Sequence, residues 1–207
     1  MKYIIYDFNG TILDDLDVCL KCINQIAAKY LNRDIITKEE YLEIFDFPVK
    51  DYYERVGFDF KKDSFEKIGR EWMDLYEASY NEYKLMDGIK DILISNINNG
   101  YKNVILSASK LDNLIKQCEQ LGIKDYFDDI LGIDDIYAGS KEFIAKKWIE
   151  DKNPDDCIFI GDTLHDLDVA KAMGVKCALV AKGHQSKRKL EAKCNNVYDD
   201  ISEVEYD

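Results

Sequence analysis

The 207-residue sequence is poor in proline and histidine and has no long apolar run. Two prolines and 11 glycines exclude a collagen-like chain or a proline-rich disordered one. No stretch approaches the ~18 apolar residues of a membrane-spanning helix. The N-terminus becomes acidic at Asp7, too early for a secretory signal peptide. We therefore expect a globular, cytoplasmic protein that has no membrane partner.

Positive charge is also scarce, since 28 lysines and arginines stand against 41 aspartates and glutamates, for a net charge of −13. Such an excess of negative charge repels the phosphate backbone of DNA and RNA, so we expect no nucleic-acid partner. The acidic residues either keep the protein soluble or hold a divalent cation that bridges to an anionic substrate. Composition alone leaves both possibilities open.

No disulfide framework is expected, because the cysteines are scattered and no export signal precedes them. We expect reduced and mostly buried thiols. The Cys19-x-x-Cys22 pair lies on a helical pattern without a second such pair, which argues against a zinc or redox site. The six cysteines are Cys19, Cys22, Cys118, Cys157, Cys177 and Cys194.

Short apolar runs and helical patterns alternate after residue 84, which predicts an α/β fold with a Rossmann-like parallel sheet covered on both faces. A first strand, at residues 3–6, belongs to the same sheet. This core domain comprises residues 1–13 and 85–207. The later strands are predicted at residues 104–106, 130–131, 157–160, 177–180 and 197–198.

Residues 14–84 show helical periodicity and no convincing strand, which predicts a helical-bundle cap inserted after the first strand. A capping box from Thr37 to Glu40 marks the second of four helices, and Pro48 ends it. The fourth helix carries an aromatic stripe that we expect to pack in the cap core rather than to contact a ligand. Its rings are Phe65, Trp72, Tyr76, Tyr80 and Tyr83.

Polar residues occur at or just after the ends of four predicted elements, where the ligand sites of parallel sheets lie. They are Asp7, Thr11, Ser107, Lys141, Asp162 and Asp166. Three carboxylates in one place repel each other unless a cation neutralises them, and Mg²⁺ prefers such oxygen ligands together with substrate phosphate. A carboxylate beside Mg²⁺ can attack phosphorus, and Lys141 and Ser107 are suited to bind phosphoryl oxygens.

These motifs resemble those of the haloacid dehalogenase superfamily over nearly the whole chain. Residues 7–11, Asp-Phe-Asn-Gly-Thr, are similar to its first motif, Asp-x-Asp-Gly-Thr. Ser107 resembles the second motif, Lys141 the third, and residues 161–166 the fourth. The inserted helices resemble the cap of the phosphoglycolate phosphatase-like branch. The resemblance implies a Rossmann-like core and Mg²⁺-dependent phosphoryl transfer.

The resemblance also implies a role for each motif residue. Asp7 corresponds to the nucleophile, and Asp166 to a residue that supports the metal site or its waters. Thr11 and Ser107 correspond to phosphate-binding residues, and Lys141 stabilises the nucleophile and the phosphoryl group. The implied Mg²⁺ ligands are Asp7, Asp162 and the backbone carbonyl of Asn9.

Asn9 departs from the family pattern, in which this position is a general acid/base aspartate. An amide cannot transfer a proton, and such help is worth about 10²–10⁴-fold in rate. Three explanations stay open: a substrate with a good leaving group (an acyl phosphate, a pyrophosphate or an aryl phosphate), a proton supplied by another residue such as His165, or an engineered substitution or lost activity.

The sequence favours a Mg²⁺-dependent phosphatase of small phosphorylated metabolites that acts through an aspartyl-phosphate at Asp7. The alternative is a catalytically silent protein that binds a phosphorylated ligand. Asn9 argues against a phosphosugar mutase, and the two fourth-motif aspartates argue against a metal-free dehalogenase. We expect His184 to be a loop residue without a role, and Arg55 to form a surface ion pair.

Overall fold

Strand β1 (Lys2–Tyr6) consists of a lysine and four residues that favour extended backbone, and it lies inside a six-stranded sheet. The computed structural model describes residues 1–33, 35–133 and 140–206. The other strands are β2 (Leu13–Asp14), β3 (Lys84–Leu85), β4 (Lys102–Lys110), β5 (Asp129–Ile133), β6 (Asp156–Gly161), β7 (Lys176–Val180) and β8 (Val197–Tyr198). The helices are α1 (Leu16–Leu31), α2 (Lys38–Ile44), α3 (Val49–Val56), α4 (Phe65–Ala78), α5 (Ile89–Asn98), α6 (Leu111–Gln120), α7 (Lys141–Lys152), α8 (Leu164–Met173) and α9 (Lys187–Glu191).

The large sheet has the strand order β5-β4-β1-β6-β7-β8, and all of its neighbouring strands are parallel. The chain moves outward from β1 in one direction through β4 and β5, and in the other through β6, β7 and β8. The order therefore reverses around β1, and ligands of open parallel sheets bind at such a reversal. This topology confirms the predicted Rossmann-like α/β class.

Both faces of the sheet are covered, because side chains alternate along each strand. Ile4 and Tyr6 pack on one face against α5 and α6, whereas Tyr3 and Ile5 pack on the other against α7, α8 and α9. Each face has its own fully apolar cluster. The near-continuous apolar runs of the sequence are explained by this two-sided burial.

The inserted helices α1–α4 form the cap, which has a separate apolar core. The expectation of no strand at residues 14–84 is wrong at both ends of the segment. Asp14 pairs with Lys84 and Leu13 with Leu85 in a two-residue antiparallel ribbon of β2 and β3. The predicted boundaries between core and cap therefore fall within this ribbon, where the chain leaves the core and returns to it.

The turn between α2 and α3, residues 45–48, contacts the core loop that follows β7. Gln185 Nε2 donates to the Phe45 carbonyl oxygen, and Lys189 Nζ donates to the same oxygen at 2.6 Å. Lys189 also lies 3.2 Å from the Asp46 carboxylate. These contacts close the cap over the carboxyl ends of the central strands. Arg55 pairs with Asp46 at 3.3 Å, as expected for a surface ion pair.

The cysteines agree with the sequence prediction, since all six are free thiols and only Cys194 is not buried. Within the described ranges, no helix is both long enough and apolar enough to cross a bilayer.

Candidate active site

Asp7 directly follows β1 and is buried at the carboxyl edge of the sheet. Its carboxylate pairs with the Lys141 ammonium, and its backbone N–H donates to the Ile160 carbonyl on β6. Burial raises the pKa of Asp7 to about 8, although Lys141 acts in the opposite direction. The nearby carboxylates of Asp162 and Asp166 add to the increase. A negative charge on Asp7 is therefore unfavourable unless a further positive charge neutralises it.

Asp162 lies in the loop that joins β6 to α8, with no exposed side-chain surface. Its Oδ2 accepts from the His184 backbone N–H at 2.6 Å, and its Oδ1 accepts from the Thr11 hydroxyl at 3.2 Å. Burial raises the pKa of Asp162 to about 6, partly opposed by His184. Gly183 and Gly10 pack directly on this carboxylate, and a Cβ at either position overlaps it. Glycine is needed there to make room for Asp162.

Asp166 belongs to the capping box at the start of α8. Its Oδ2 accepts from the Thr163 hydroxyl at 2.7 Å, and its Oδ1 accepts from Lys141 at 2.6 Å. Burial alone raises the pKa of Asp166, but the Lys141 ammonium and the Thr163 hydroxyl outweigh it and leave the pKa below its usual value. Both oxygens thus have protein donors, so this carboxylate is ionised and held in one orientation.

Lys141 is the first residue of α7 and is almost fully buried between Asp7 and Asp166. Burial opposes its charge, but the two carboxylates outweigh burial and raise its pKa above the usual lysine value. The ammonium therefore stays charged at neutral pH. It brings one positive charge to a pocket that holds three carboxylates.

The Asn9 side chain is held by three hydrogen bonds. Its Nδ2 donates to Asp15 Oδ2 and to the Tyr76 hydroxyl, both at 2.8 Å. Its Oδ1 accepts from the Ser109 hydroxyl at 3.0 Å. The amide matches its surroundings, because its nitrogen faces two acceptors and its oxygen faces one donor. An aspartate at this position would instead place a second carboxylate against Asp15.

Asp15 and His184 form a buried ion pair that the sequence analysis did not predict. His184 Nε2 lies 3.1 Å from Asp15 Oδ1, and its Nδ1 lies 3.0 Å from the Tyr41 hydroxyl. Burial disfavours the charged imidazole, but the Asp15 carboxylate outweighs it and raises the pKa of His184 to about 9. In the same pair, His184 outweighs burial and lowers the pKa of Asp15. The expectation that His184 is a loop residue without a role is therefore wrong.

A cavity of about 880 Å³ lies between the cap and the carboxyl edge of the sheet. On the core side it is lined by Asp7, Asn9, Ser107, Lys141, Asp162 and Asp166, among others. The structure thus brings six of the seven predicted site residues to one cavity. The seventh, Thr11, is buried and directs its hydroxyl to Asp162, so its proposed contact with phosphate stays a prediction.

The cap side of the cavity is lined by aromatic rings. All five rings of the α4 stripe and the adjoining segment are among them. Four of the five also belong to the cap core or pack against it, as predicted, so the stripe serves both the core and the cavity wall. Tyr76 is buried in the cap cluster and also lines the cavity. His165, the predicted alternative proton source, lines the cavity and stacks on Phe47 with ring centroids 4.6 Å apart.

The chemistry of these residues fits a divalent cation. Ligand oxygens of Asp7, Asp162 and Asp166 all lie within 4.8 Å of one another. Burial and mutual repulsion raise the pKa values of the first two, and a bound cation relieves this repulsion. Oxygen ligands are those that Mg²⁺ prefers. Asp166 already accepts from Lys141 and Thr163, which suits it to support the site.

We expect Mg²⁺ to raise the melting temperature of the wild-type protein, because a ligand that binds only the folded state stabilises it. At about 100 times its dissociation constant the gain is about 2.7 kcal/mol, equivalent to roughly 5–10 °C for a chain of this length. Asp162→Asn is expected to lose most of this shift, whereas Asp168→Asn, an exposed position on the helix α8 that follows Asp162, retains it. An equal shift in both variants would contradict a site at Asp162.

Comparison with known proteins shows which family the chain resembles. The model of the family described as "Haloacid dehalogenase-like hydrolase" matches residues 4–180. The chain is 21% identical over 196 residues to a phosphoglycolate phosphatase from Synechococcus elongatus, covering 94% of this chain and 90% of the relative. It is 20% identical over 183 residues to the pyrophosphatase PpaX from Listeria monocytogenes, covering 81% and 77%.

Solved structures show the same fold. The crystal structure of a protein from Clostridium acetobutylicum described as a predicted phosphatase superposes with a TM-score of 0.81 at 23% identity, covering 98% of this chain and 95% of that one. At this identity the likeness concerns the fold alone. The family match, however, extends over most of the chain and includes the positions of all four motifs. The chain belongs to the haloacid dehalogenase-like hydrolase family.

Proposed function

We propose that this protein is a Mg²⁺-dependent phosphatase of small phosphorylated metabolites, with Asp7 as its nucleophile. The observation that carries the proposal is the arrangement of Asp7, Lys141, Asp162 and Asp166 around one end of the cavity between the cap and the sheet. Relatives named as a phosphoglycolate phosphatase and a pyrophosphatase support phosphorus chemistry.

Asp7 is suited to form an aspartyl-phosphate. One carboxylate oxygen attacks the phosphorus of a monoester, and the bond from phosphorus to the leaving-group oxygen breaks. Water then attacks the phosphorus of the aspartyl-phosphate, which releases phosphate and restores the carboxylate. Burial favours this chemistry because water is displaced from around the nucleophile.

Lys141 supports the reaction electrostatically. Its ammonium contacts the Asp7 carboxylate, so it orients the nucleophile and lies beside the position that the phosphoryl group takes. Asp166 holds the ammonium from the other side at 2.6 Å. Ser107 lines the same cavity and offers a hydroxyl to a phosphoryl oxygen. Preorganised charges of this kind supply most of the catalysis in phosphoryl transfer.

We assign the Mg²⁺ ligands to Asp7, Asp162 and the backbone carbonyl of Asn9, with Asp166 in support. When bound, the cation neutralises the carboxylates and the phosphoryl oxygens. The Asn9 side chain has a different task, because its three hydrogen bonds fix the loop that carries the carbonyl. It has no proton to give to a leaving group.

A phosphatase assay with and without Mg²⁺ tests this function. We expect 4-nitrophenyl phosphate and acetyl phosphate to be hydrolysed only with Mg²⁺, since neither leaving group needs much protonation. If the wild-type protein hydrolyses neither substrate with Mg²⁺ present, the proposed phosphatase activity is wrong. Tight binding of a phosphorylated metabolite without turnover would then favour the alternative, a catalytically silent ligand-binding protein.

A further inference from the structure

The aromatic wall of the cavity is larger than a small anionic substrate requires. The cavity volume of about 880 Å³ is within the range of sites for drug-sized ligands. Its apolar side is built from rings of three cap helices and the turn between two of them. They include Phe45, Phe47, Tyr52, Phe65, Trp72 and Tyr76. A substrate no larger than phosphoglycolate or pyrophosphate leaves most of these rings without a partner.

The aromatic wall begins at the reaction centre itself. The Tyr76 hydroxyl lies 2.8 Å from Asn9 Nδ2, two residues along the chain from the nucleophile. Trp72 stacks on Tyr76 with centroids 5.0 Å apart and continues the wall outward. On another side, Phe47 stacks on His165, the neighbour of Asp166. A leaving group that departs from phosphorus near Asn9 therefore meets aromatic faces directly.

The polar groups around Asn9 have no proton available for that leaving group. The Tyr76 hydroxyl donates to Asp15 Oδ2 at 2.7 Å, and the Asn9 amide nitrogen donates to the same oxygen. Both imidazole nitrogens of His184 are engaged, one by Asp15 and the other by Tyr41. With these groups committed, nothing that holds Asn9 donates a proton to the leaving group, which favours one that departs as an anion. A phenol has a pKa near 10 and can do so, whereas an alkanol is a far weaker acid, comparable with water.

We propose that the substrate is an aryl phosphate, in which the phosphoryl group is esterified to the hydroxyl of an aromatic ring. This inference rests on the proposed phosphatase function and names its substrate class. Asp7 takes the phosphoryl group, the phosphorus–oxygen bond to the ring breaks, and the electron pair leaves on the phenolate oxygen. The phenolate is protonated by solvent, and water attack on the aspartyl-phosphate releases phosphate.

The aromatic wall favours aryl phosphates over the other substrates with good leaving groups. Acetyl phosphate has no ring to stack on Trp72. Pyrophosphate places a second charged group toward the cap, where Glu66 and Glu77 line the cavity. Lys110 and Lys116 line the core side, where their positive charges attract a second phosphate group. Pyrophosphate is therefore the strongest competing substrate and must be compared directly with an aryl phosphate.

The test compares kcat/KM with Mg²⁺ for phenyl phosphate, cyclohexyl phosphate, acetyl phosphate and pyrophosphate, in wild type and two variants. Trp72→Leu removes a ring from the cavity wall. Tyr30→Leu is the matched control, because Tyr30 is a cap aromatic outside the cavity. Melting curves confirm that both variants fold.

We expect phenyl phosphate to exceed cyclohexyl phosphate by at least about 100-fold in the wild type. Trp72→Leu is expected to raise KM for phenyl phosphate about three- to tenfold, as the loss of an aromatic contact predicts. The change should be much smaller for acetyl phosphate, which has no ring, and Tyr30→Leu should change neither substrate. A preference for pyrophosphate or acetyl phosphate that Trp72→Leu does not alter would overturn the aryl assignment and leave the phosphatase function intact. Failure of all four substrates would overturn both.

Discussion

Asp7→Asn is expected to abolish phosphatase activity, with a loss on the order of 10⁴–10⁶-fold in kcat, as for other enzymes that lose their nucleophile. An amide oxygen does not form the acyl phosphate, and the substitution also removes a proposed Mg²⁺ ligand. The steady-state rate with 4-nitrophenyl phosphate measures the loss. Asp14→Asn, an exposed position in the short ribbon, is the matched control and should keep wild-type activity.

The free energy of unfolding of Asp7→Asn should not be lower than that of the metal-free wild type. The pKa of Asp7 is about 8 in the folded protein against 3.8 for an unperturbed group, so the folded state keeps a proton that the unfolded state releases. Wild-type stability therefore falls through this group as the pH rises from about 4 to about 8. The neutral amide does not titrate, and Lys141 keeps its contact with Asp166. A melting temperature well below that of the wild type at pH 8 would show that the lost activity reflects unfolding.

Asn9→Asp is expected to accelerate the hydrolysis of alkyl phosphates by about 10²–10⁴-fold, the usual worth of a general acid. The new carboxylate lies against Asp15, whose Oδ2 is 2.8 Å from the present Asn9 nitrogen. Two carboxylates this close cannot both ionise, so one of them holds a proton near neutral pH. Parallel rate measurements with phenyl and cyclohexyl phosphate reveal the effect.

The gain should be much smaller for 4-nitrophenyl phosphate, because its leaving group needs little protonation. Asn9→Ala is the control, since it removes the amide and supplies no acid, and it should not accelerate any substrate. An equal acceleration of alkyl and aryl esters by Asn9→Asp would contradict the account of the missing proton.

The site residues at strand ends could be predicted because their signal is local. Each follows a short apolar run or opens a helix, and the parallel sheet then brings the strand ends together. Asp7, Lys141, Asp162 and Asp166 were found in this way, and their contacts agree with the prediction. Their individual roles as nucleophile, metal ligands and support stay predictions until they are measured.

The Asp15–His184 pair could not be predicted, since it joins residues 169 positions apart. A histidine after a strand carries no signal of its partner. Asp15 stands at the start of α1, where a carboxylate usually indicates only a helix cap. The ribbon of β2 and β3 was missed for a similar reason, because two-residue strands have no periodicity to read.

The spacing of the aromatic stripe on α4 predicted its packing in the cap core but could not reveal the cavity that the stripe also lines. A helix presents an apolar face at three-to-four spacing whether that face packs on a core or on a cavity. Ile68 is buried in the cap core, and Trp72, one turn later, packs against that core and also lines the cavity. Only the placement of the cap over the sheet distinguishes the two environments.

The central claim is that Asp7 accepts the phosphoryl group, and trapping the phosphoenzyme tests it most directly. Wild-type protein is mixed with acetyl phosphate and Mg²⁺, quenched in acid within one turnover, digested and examined by mass spectrometry. The account predicts a phosphoryl group on the peptide that contains Asp7, absent without Mg²⁺ and absent in Asp7→Asn. Rapid turnover with no phosphorylated peptide, or with the phosphoryl group on another residue, would contradict it.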